Sequence, residues 1–293
     1  MKPALSAGKK KMHPPELITK TGLRQGLSKN TLETYSHCVE KFFHICCKNP
    51  YDLRKQDILE FIDRMIERNT PGNTINVYVN ALKFFYEQVL HRRLTINIPI
   101  QKVPRRLPHF LQKEEVTLVL EHIENRKHRL MIALLYGTGM RVSELIHLKV
   151  QDFVFSSNYG WVRQGKGKKD RLFIIPEKLR EELQQYIQQE NISTEDWLFC
   201  GWKNAHYSDQ SVREILKVAQ GKAQLKQHVH PHMLRHSFAT HFIENGYSVM
   251  ELQPLLGHSK IETTMVYLHC ASPKLLNVKS PFDSLPLTPP QSL

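Results

Sequence analysis

The chain has 293 residues, with 41 Lys and Arg against 28 Asp and Glu and a formal net charge of +13. That length allows two domains with separate cores, and 41% hydrophobic residues is ordinary for a globular protein. No stretch approaches the roughly 18–20 consecutive apolar residues of a membrane span. The basic N-terminus also lacks the apolar run of a secretory signal. A cytoplasmic protein without a membrane partner is expected.

Residues 1–16 are rich in Lys, Pro and small residues and read as a disordered basic lead. A helical domain is expected over 17–103. Its first pattern starts near Ser28, with Leu32, Tyr35, Val39, Phe42 and Phe43 at three- and four-residue steps. A second holds Ile58, Phe61, Ile62, Met65 and Ile66 and breaks at Thr70-Pro71-Gly72-Asn73. A third carries Ile75, Val79, Leu82, Phe85 and Val89. Pro104 and Pro108, with Arg105 and Arg106, mark a stiff linker at 104–110 that suits a backbone-tracking contact.

The second domain is expected over 111–270. Helices are predicted near 114–124 and 130–136, and Gly137-Thr138-Gly139 then interrupts the backbone before a short helix with Arg141, Glu144 and Leu145. Three short apolar runs, 153–155, 161–163 and 172–175, give the β signal. Between the last two lies Gly165-Lys166-Gly167-Lys168-Lys169-Asp170, read as a hairpin turn that pushes lysines outward. Pro176 opens the next helix, and the pattern is helical again from Pro231, with stops at Gly246 and Gly257. Residues 271–293 are proline-rich and read as an extended tail. The predicted fold is therefore mainly α: a helical domain followed by an α+β domain with a small three-stranded sheet.

Charge is placed unevenly. Residues 1–110 hold 19 Lys and Arg against 9 acidic residues, whereas residues 111–293 hold 22 against 19. A basic half joined to a nearly balanced one suits a polyanionic partner, with nucleic acid first among the candidates. The five cysteines (38, 46, 47, 200 and 270) are odd in number and form no C-x-x-C, so neither a disulfide framework nor a cysteine-based zinc site is indicated.

The second domain also carries an ordered set of cations and imidazoles ending in a tyrosine: Arg141, Lys166, His232, Arg235, His258 and Tyr267. His232 and Arg235 share a helix face. Two guanidinium groups can hold the non-bridging oxygens of one phosphate. A hairpin lysine can protonate a leaving oxygen, and imidazoles can donate to phosphoryl oxygens or relay protons. A phenol has a pKa near ~10 and needs nearby cations before it attacks at neutral pH. Each residue alone has an ordinary reading as an ion pair, a packed side chain or a solvated turn.

The order and context give the set its meaning. The chain resembles the tyrosine recombinase (phage integrase) family in Thr138-Gly139-Met140-Arg141-Val142-Ser143-Glu144-Leu145 and in Gly165-Lys166-Gly167-Lys168-Lys169-Asp170-Arg171. The likeness continues in His232-Met233-Leu234-Arg235-His236-Ser237-Phe238-Ala239-Thr240-His241, in Leu255-Leu256-Gly257-His258-Ser259 and in Thr263-Thr264-Met265-Val266-Tyr267. The helical first domain looks like the family's SAM-like core-binding domain. The resemblance implies that Arg141 and Arg235 clamp the scissile phosphate and Lys166 protonates the departing 5′ oxygen. It implies that His232 acts in acid–base chemistry on the tyrosine proton and that His258 donates to the phosphate. Tyr267 would form a 3′-phosphotyrosyl bond, with Glu144 orienting the site; His236 and His241 are expected to be mainly structural.

Implied too are double-stranded DNA with a specific recombination site as partner and a homotetramer on synapsed DNA, with a related recombinase as an alternative partner. Exchange through a Holliday junction would need neither metal nor ATP nor another cofactor. The short segment before the helical domain favours the two-domain architecture of Xer-like members over integrases with an additional arm-binding domain. Ser280-Pro281-Phe282-Asp283-Ser284-Leu285 resembles the end of integron integrases, but the step from Lys166 to His232 is short for their extra helical insertion. A type IB topoisomerase-like enzyme and a non-catalytic sequence-specific DNA-binding protein are the competing readings.

Overall fold

The computed structural model describes residues 13–93, 97–104, 107–163, 170–201, 205–258, 260–268 and 270. Most of the expected basic lead, the linker arginines Arg105 and Arg106, the turn residues 165–169 with Lys166, and the tail at 271–293 lie outside them. The chain divides into two compact units, Met1–Arg105 and Arg106–Leu293.

The first unit holds α1 (Pro14–Arg24), α2 (Lys29–Cys46), α3 (Lys55–Glu67) and α4 (Gly72–Lys83), followed by a π-helical turn at Phe84–Val89. Ser28 caps α2, its hydroxyl accepting from the Thr31 amide at 3.2 Å. Most residues of the apolar stripes read from the sequence face inward: Leu32, Val39, Phe42, Ile58, Phe61, Ile75, Val79, Leu82 and Phe85 all belong to one core, whereas Ile66 of the second stripe is exposed. Helix α1 is an addition to the sequence reading, and it begins inside the segment read as a lead. Prolines occupy its first turn, where their missing N–H groups cost nothing, and Ile18 is wholly buried against the same core. In the π-helical turn Phe84, Phe85 and Tyr86 are consecutive and all buried.

The second unit holds α5 (Lys113–Glu121), α6 (Arg126–Thr138) and α7 (Val142–Leu145), then β1 (Phe153–Val154), β2 (Tyr159–Val162) and β3 (Arg171–Ile174). Next come α8 (Glu177–Gln189), α9 (Asp209–Lys222), α10 (Pro231–Glu244), α11 (Val249–Leu256), α12 (Glu262–Met265) and a 3₁₀ turn at Val266–Leu268. The strands form one antiparallel sheet in the order β1-β2-β3, with Gly160 opposite Phe173 and Trp161 opposite Leu172. Helix α9 is also an addition to the sequence reading. Ser208 caps it, and Val212, Leu216 and Ala219 bury one face, but its many polar residues mask that spacing.

Two separate apolar clusters hold this unit together. The large one joins α6, the sheet, α8 and α9 through residues such as Leu134, Phe173, Leu183 and Leu216. A smaller one gathers Ala239, Ile243, Val249, Leu252, Leu256 and Tyr267. Helix α10 is buried on most sides and packs along α6. The fold is thus mainly α, with a helical first unit and an α+β second unit carrying a small sheet. Among the described residues no helix is long and apolar enough to cross a membrane.

Candidate active site

Arg141 stands at the N-cap of α7, just past the end of α6. Glu144 answers it twice, accepting from the Arg141 amide at 2.7 Å and from its Nη1 at 2.8 Å. The same carboxylate accepts from Arg171 Nη2 at 2.6 Å. Burial alone would raise the Glu144 pKa, but the charge and hydrogen bond of Arg171, with help from Arg141, hold it below the usual carboxylate value. Arg171 opens β3 and is itself buried. Its Nη1 also donates to the Leu255 carbonyl at the end of α11. One buried ion cluster therefore ties the start of α7 to the sheet and to α11.

Arg235 comes from the middle of α10 and is only 3% exposed. It donates from Nη1 to the Gly139 carbonyl at 2.7 Å and from Nη2 to the Leu256 carbonyl at 2.6 Å. Both carbonyls belong to left-handed helix ends, with φ of +61° at Gly139 and +63° at Gly257. A side chain at Gly139 would also strike the Phe238 ring, 2.2 Å from the ideal Cβ position. Glycine at 139 thus permits both the turn that presents its carbonyl and the approach of α10. Burial, then Arg141, pushes the Arg235 pKa down to about 10, so the guanidinium stays charged at neutral pH.

His258 follows Gly257. Its Nε2 lies 3.2 Å from Arg235 Nη2 and its Nδ1 2.9 Å from the Thr264 hydroxyl. Arginine has no acceptor, so Nε2 accepts and Nδ1 carries the proton. Burial and the adjacent Arg235 push its pKa down to about 4.

Tyr267 sits in the final 3₁₀ turn, 2% exposed, with its ring stacked over His258 at a centroid distance of 6.5 Å and an interplanar angle of 9°. Its hydroxyl meets His236 Nδ1 at 2.9 Å. Burial raises the phenol pKa, while Arg235 and Arg141 oppose that rise. His236 is neutral: burial, then His232 and Arg235, push its pKa down to about 4. His232 lies one helical turn earlier on α10 and is exposed, its ring centroid 6.5 Å from that of His236. The protein mass around it and the arginines Arg235, Arg213 and Arg141 lower its pKa as well.

The fold thus joins Arg141 to Glu144, and Arg235 to His258, with Tyr267 stacked on that histidine. Lys166 lies outside the described residues. Two residues were under-read in the sequence. Arg171 was visible only as the end of a lysine-rich motif, and its partners are 27 and 84 residues away. His236, expected to be mainly structural, bonds to the Tyr267 hydroxyl, a contact that its i+4 spacing from His232 does not reveal. His241 is buried and bonds to the Tyr136 hydroxyl at 2.9 Å, away from this group. Among the described residues no set of three or more His, Cys, Asp or Glu side chains is placed to hold a metal ion.

Comparison with known proteins agrees with this geometry. The phage integrase family matches residues 109–273, and the phage integrase N-terminal SAM-like domain matches residues 17–96. A tyrosine recombinase of Pseudothermotoga lettingae is 35% identical over 254 residues, covering 83% of this chain and 88% of that protein. Tyrosine recombinase XerA of Pyrococcus furiosus is 37% identical over 250 residues, covering 83% of this chain and 84% of that one. A crystal structure of XerA recombinase aligns over 90% of this chain and 95% of its own, at 26% identity and a TM-score of 0.53. The XerH site-specific recombinase bound to palindromic difH substrate, a post-cleavage complex, shares the fold at a TM-score of 0.71 and 23% identity, over 90% of this chain and 83% of its own. The chain belongs to the phage integrase family and is a tyrosine recombinase, an enzyme of the site-specific DNA recombination class.

Proposed function

We propose that this chain cuts and rejoins double-stranded DNA at a specific site through a covalent 3′-phosphotyrosyl intermediate on Tyr267. The observation that carries the reading is the setting of the Tyr267 hydroxyl: buried, hydrogen-bonded to an imidazole, and next to the Arg235–His258 pair. Arg141 and Arg235 hold the scissile phosphate, and their charges offset the negative charge that builds up in transfer. Glu144 fixes the Arg141 guanidinium for that task. Lys166 protonates the departing 5′ oxygen, and His232 acts in general acid–base chemistry on the tyrosine proton. In the DNA-free chain His258 Nε2 accepts from Arg235; donation to the phosphate requires a second proton, which the anion's charge favours.

The phosphotyrosyl bond stores the energy of the broken phosphodiester, so rejoining needs no ATP, and arginine and lysine take the part of a charge-stabilising metal. Four protomers synapse two DNA segments in the cytoplasm and exchange strands in two steps through a Holliday junction. The basic first unit supplies much of the sequence-independent grip. Tyr267→Phe tests the nucleophile. On a nicked duplex carrying the sequence that the chain selects from a random library, this variant binds but forms no covalent adduct. An adduct in that variant overturns the assignment. Supercoil relaxation without strand exchange between two such sites would instead favour the topoisomerase-like reading.

A further inference from the structure

We infer that His236 is a further catalytic residue, the group that takes the phenolic proton when Tyr267 attacks and returns it on rejoining. The inference rests on Tyr267 being the nucleophile. Tyr267 is buried, so its O–H proton needs an acceptor, and the imidazole nitrogen 2.9 Å away is the hydroxyl's hydrogen-bond partner. The hydroxyl therefore donates, and His236 Nδ1 offers its lone pair with the proton on Nε2. A base in place before reaction, at hydrogen-bond distance from the proton it removes, is the geometric requirement for general base catalysis. The exposed His232 does not hold that hydrogen bond.

Helix α10 explains the placement. Arg235 and His236 are adjacent, so one helix presents the phosphate-holding cation and, about 100° around its axis, the proton acceptor. His232 is four residues back on the face of His236, and it is exposed. The order Tyr267, His236, His232 leads from the buried hydroxyl to solvent, so the acid–base role of His232 acts through His236.

The step balances. The Tyr267 oxygen–phosphorus bond forms as the phosphorus–O5′ bond breaks; the phenolic proton moves to His236 Nδ1, and Lys166 gives a proton to O5′. On rejoining, the 5′ hydroxyl gives its proton back to Lys166 as its oxygen bonds to phosphorus, the bond from phosphorus to the Tyr267 oxygen breaks, and the imidazolium returns its proton to the phenolate. The titratable and charged groups acting on His236 are His232 and Arg235 on α10, His230 at its N-cap, and Tyr267 from the final turn. The cations disfavour imidazolium in the DNA-free chain. A bound phosphodiester offsets them, so His236 becomes a competent base when substrate arrives.

The test is single-turnover adduct formation by the full chain on the nicked selected duplex, made both with the normal phosphate and with sulfur bridging phosphorus and the 5′ carbon. His236→Ala slows the adduct by about 10²–10⁴-fold. The sulfur leaving group, which needs no proton, does not relieve that loss, whereas it does relieve the loss in Lys166→Ala. His236→Gln keeps a hydrogen-bond acceptor but takes no proton, and it stays slow. In both His236 variants the rate climbs with pH as hydroxide replaces the base, and a fluorinated tyrosine of lower pKa at position 267 restores speed. Thermal melting of His236→Gln confirms that the variant is folded. Wild-type rates in His236→Ala, recovery in His236→Gln, or rescue of His236→Ala by the sulfur substrate each overturn the inference. If Tyr267→Phe still forms the adduct, the nucleophile assignment fails instead, which separates the two claims.

Discussion

Replacing Glu144 by glutamine keeps the shape of the side chain and removes its charge. The carboxylate is 4% exposed and serves two arginines, Arg171 at 7% and Arg141 at 18% exposure. Glutamine has one acceptor oxygen, and its amide group would face a guanidinium it cannot accept from. Arg141 reaches water, but Arg171 stays buried and loses its counter-charge. Leaving one member of a buried pair unpaired costs about 3–5 kcal/mol, a large share of the roughly 5–15 kcal/mol that holds a domain folded. The midpoint of unfolding should fall on the order of 10 °C. All three tryptophans, at 161, 197 and 202, lie in the second unit, so intrinsic fluorescence follows this unit directly. The double variant Glu144→Gln with Arg171→Met should recover part of the loss, because the stranded charge goes too. Sign and pH range follow from the depressed Glu144 pKa. The ion pair stabilises fully above the unfolded carboxyl pKa near ~4.3 and fades as pH falls through the lower folded value. Glu144→Gln should lose that part of the acid dependence. A Glu144→Gln chain within about 1 kcal/mol of wild type at neutral pH, with an unchanged acid limb, would refute the reasoning.

Gly139→Ala should cost about 2–4 kcal/mol, part from the left-handed backbone and part from overpacking against Phe238. Adding Phe238→Leu should return only the second part, as read by denaturant melts of tryptophan fluorescence. DNA binding should fall by about 10³–10⁵-fold between 50 and 200 mM salt if six to ten phosphates are neutralised, as read by fluorescence anisotropy; a flat salt dependence would remove the basic first unit from the grip. Adduct formation should run at full rate in excess chelator, and a loss restored by added divalent metal would count against the arginine-and-lysine mechanism.

The sequence displayed what is local. Helical stripes such as Leu32-Val39-Phe42 and Ile58-Phe61 repeat within one element and turned out buried. The motif residues could be named because short segments carry them. What stayed hidden depends on distant partners. Arg171 gains its meaning from Glu144 and Leu255, and His236 from Tyr267, none of which is a sequence neighbour. Strand ends shifted for a related reason. The run at 161–163 becomes β2 at Tyr159–Val162, with Gly160 inside it, where a Cβ would fall 2.3 Å from the Phe173 ring. Helices α1 and α9 leave little trace in the sequence because each buries few residues along a polar stretch.

The smaller apolar cluster bears on the handling of the proposed nucleophile. Tyr267 belongs to a core of its own with residues of α10 and α11, apart from the one that secures the sheet and α8. Cooperative opening follows such boundaries, and its cost scales with the cluster that is lost. The final turns should therefore open at lower cost than the rest of the domain. Slow amide exchange should persist in α6 and α8 while the amides around 262–268 exchange faster. On the proposed mechanism, a nucleophile held by its own small core can be withheld or delivered without dismantling the residues proposed to grip the phosphate.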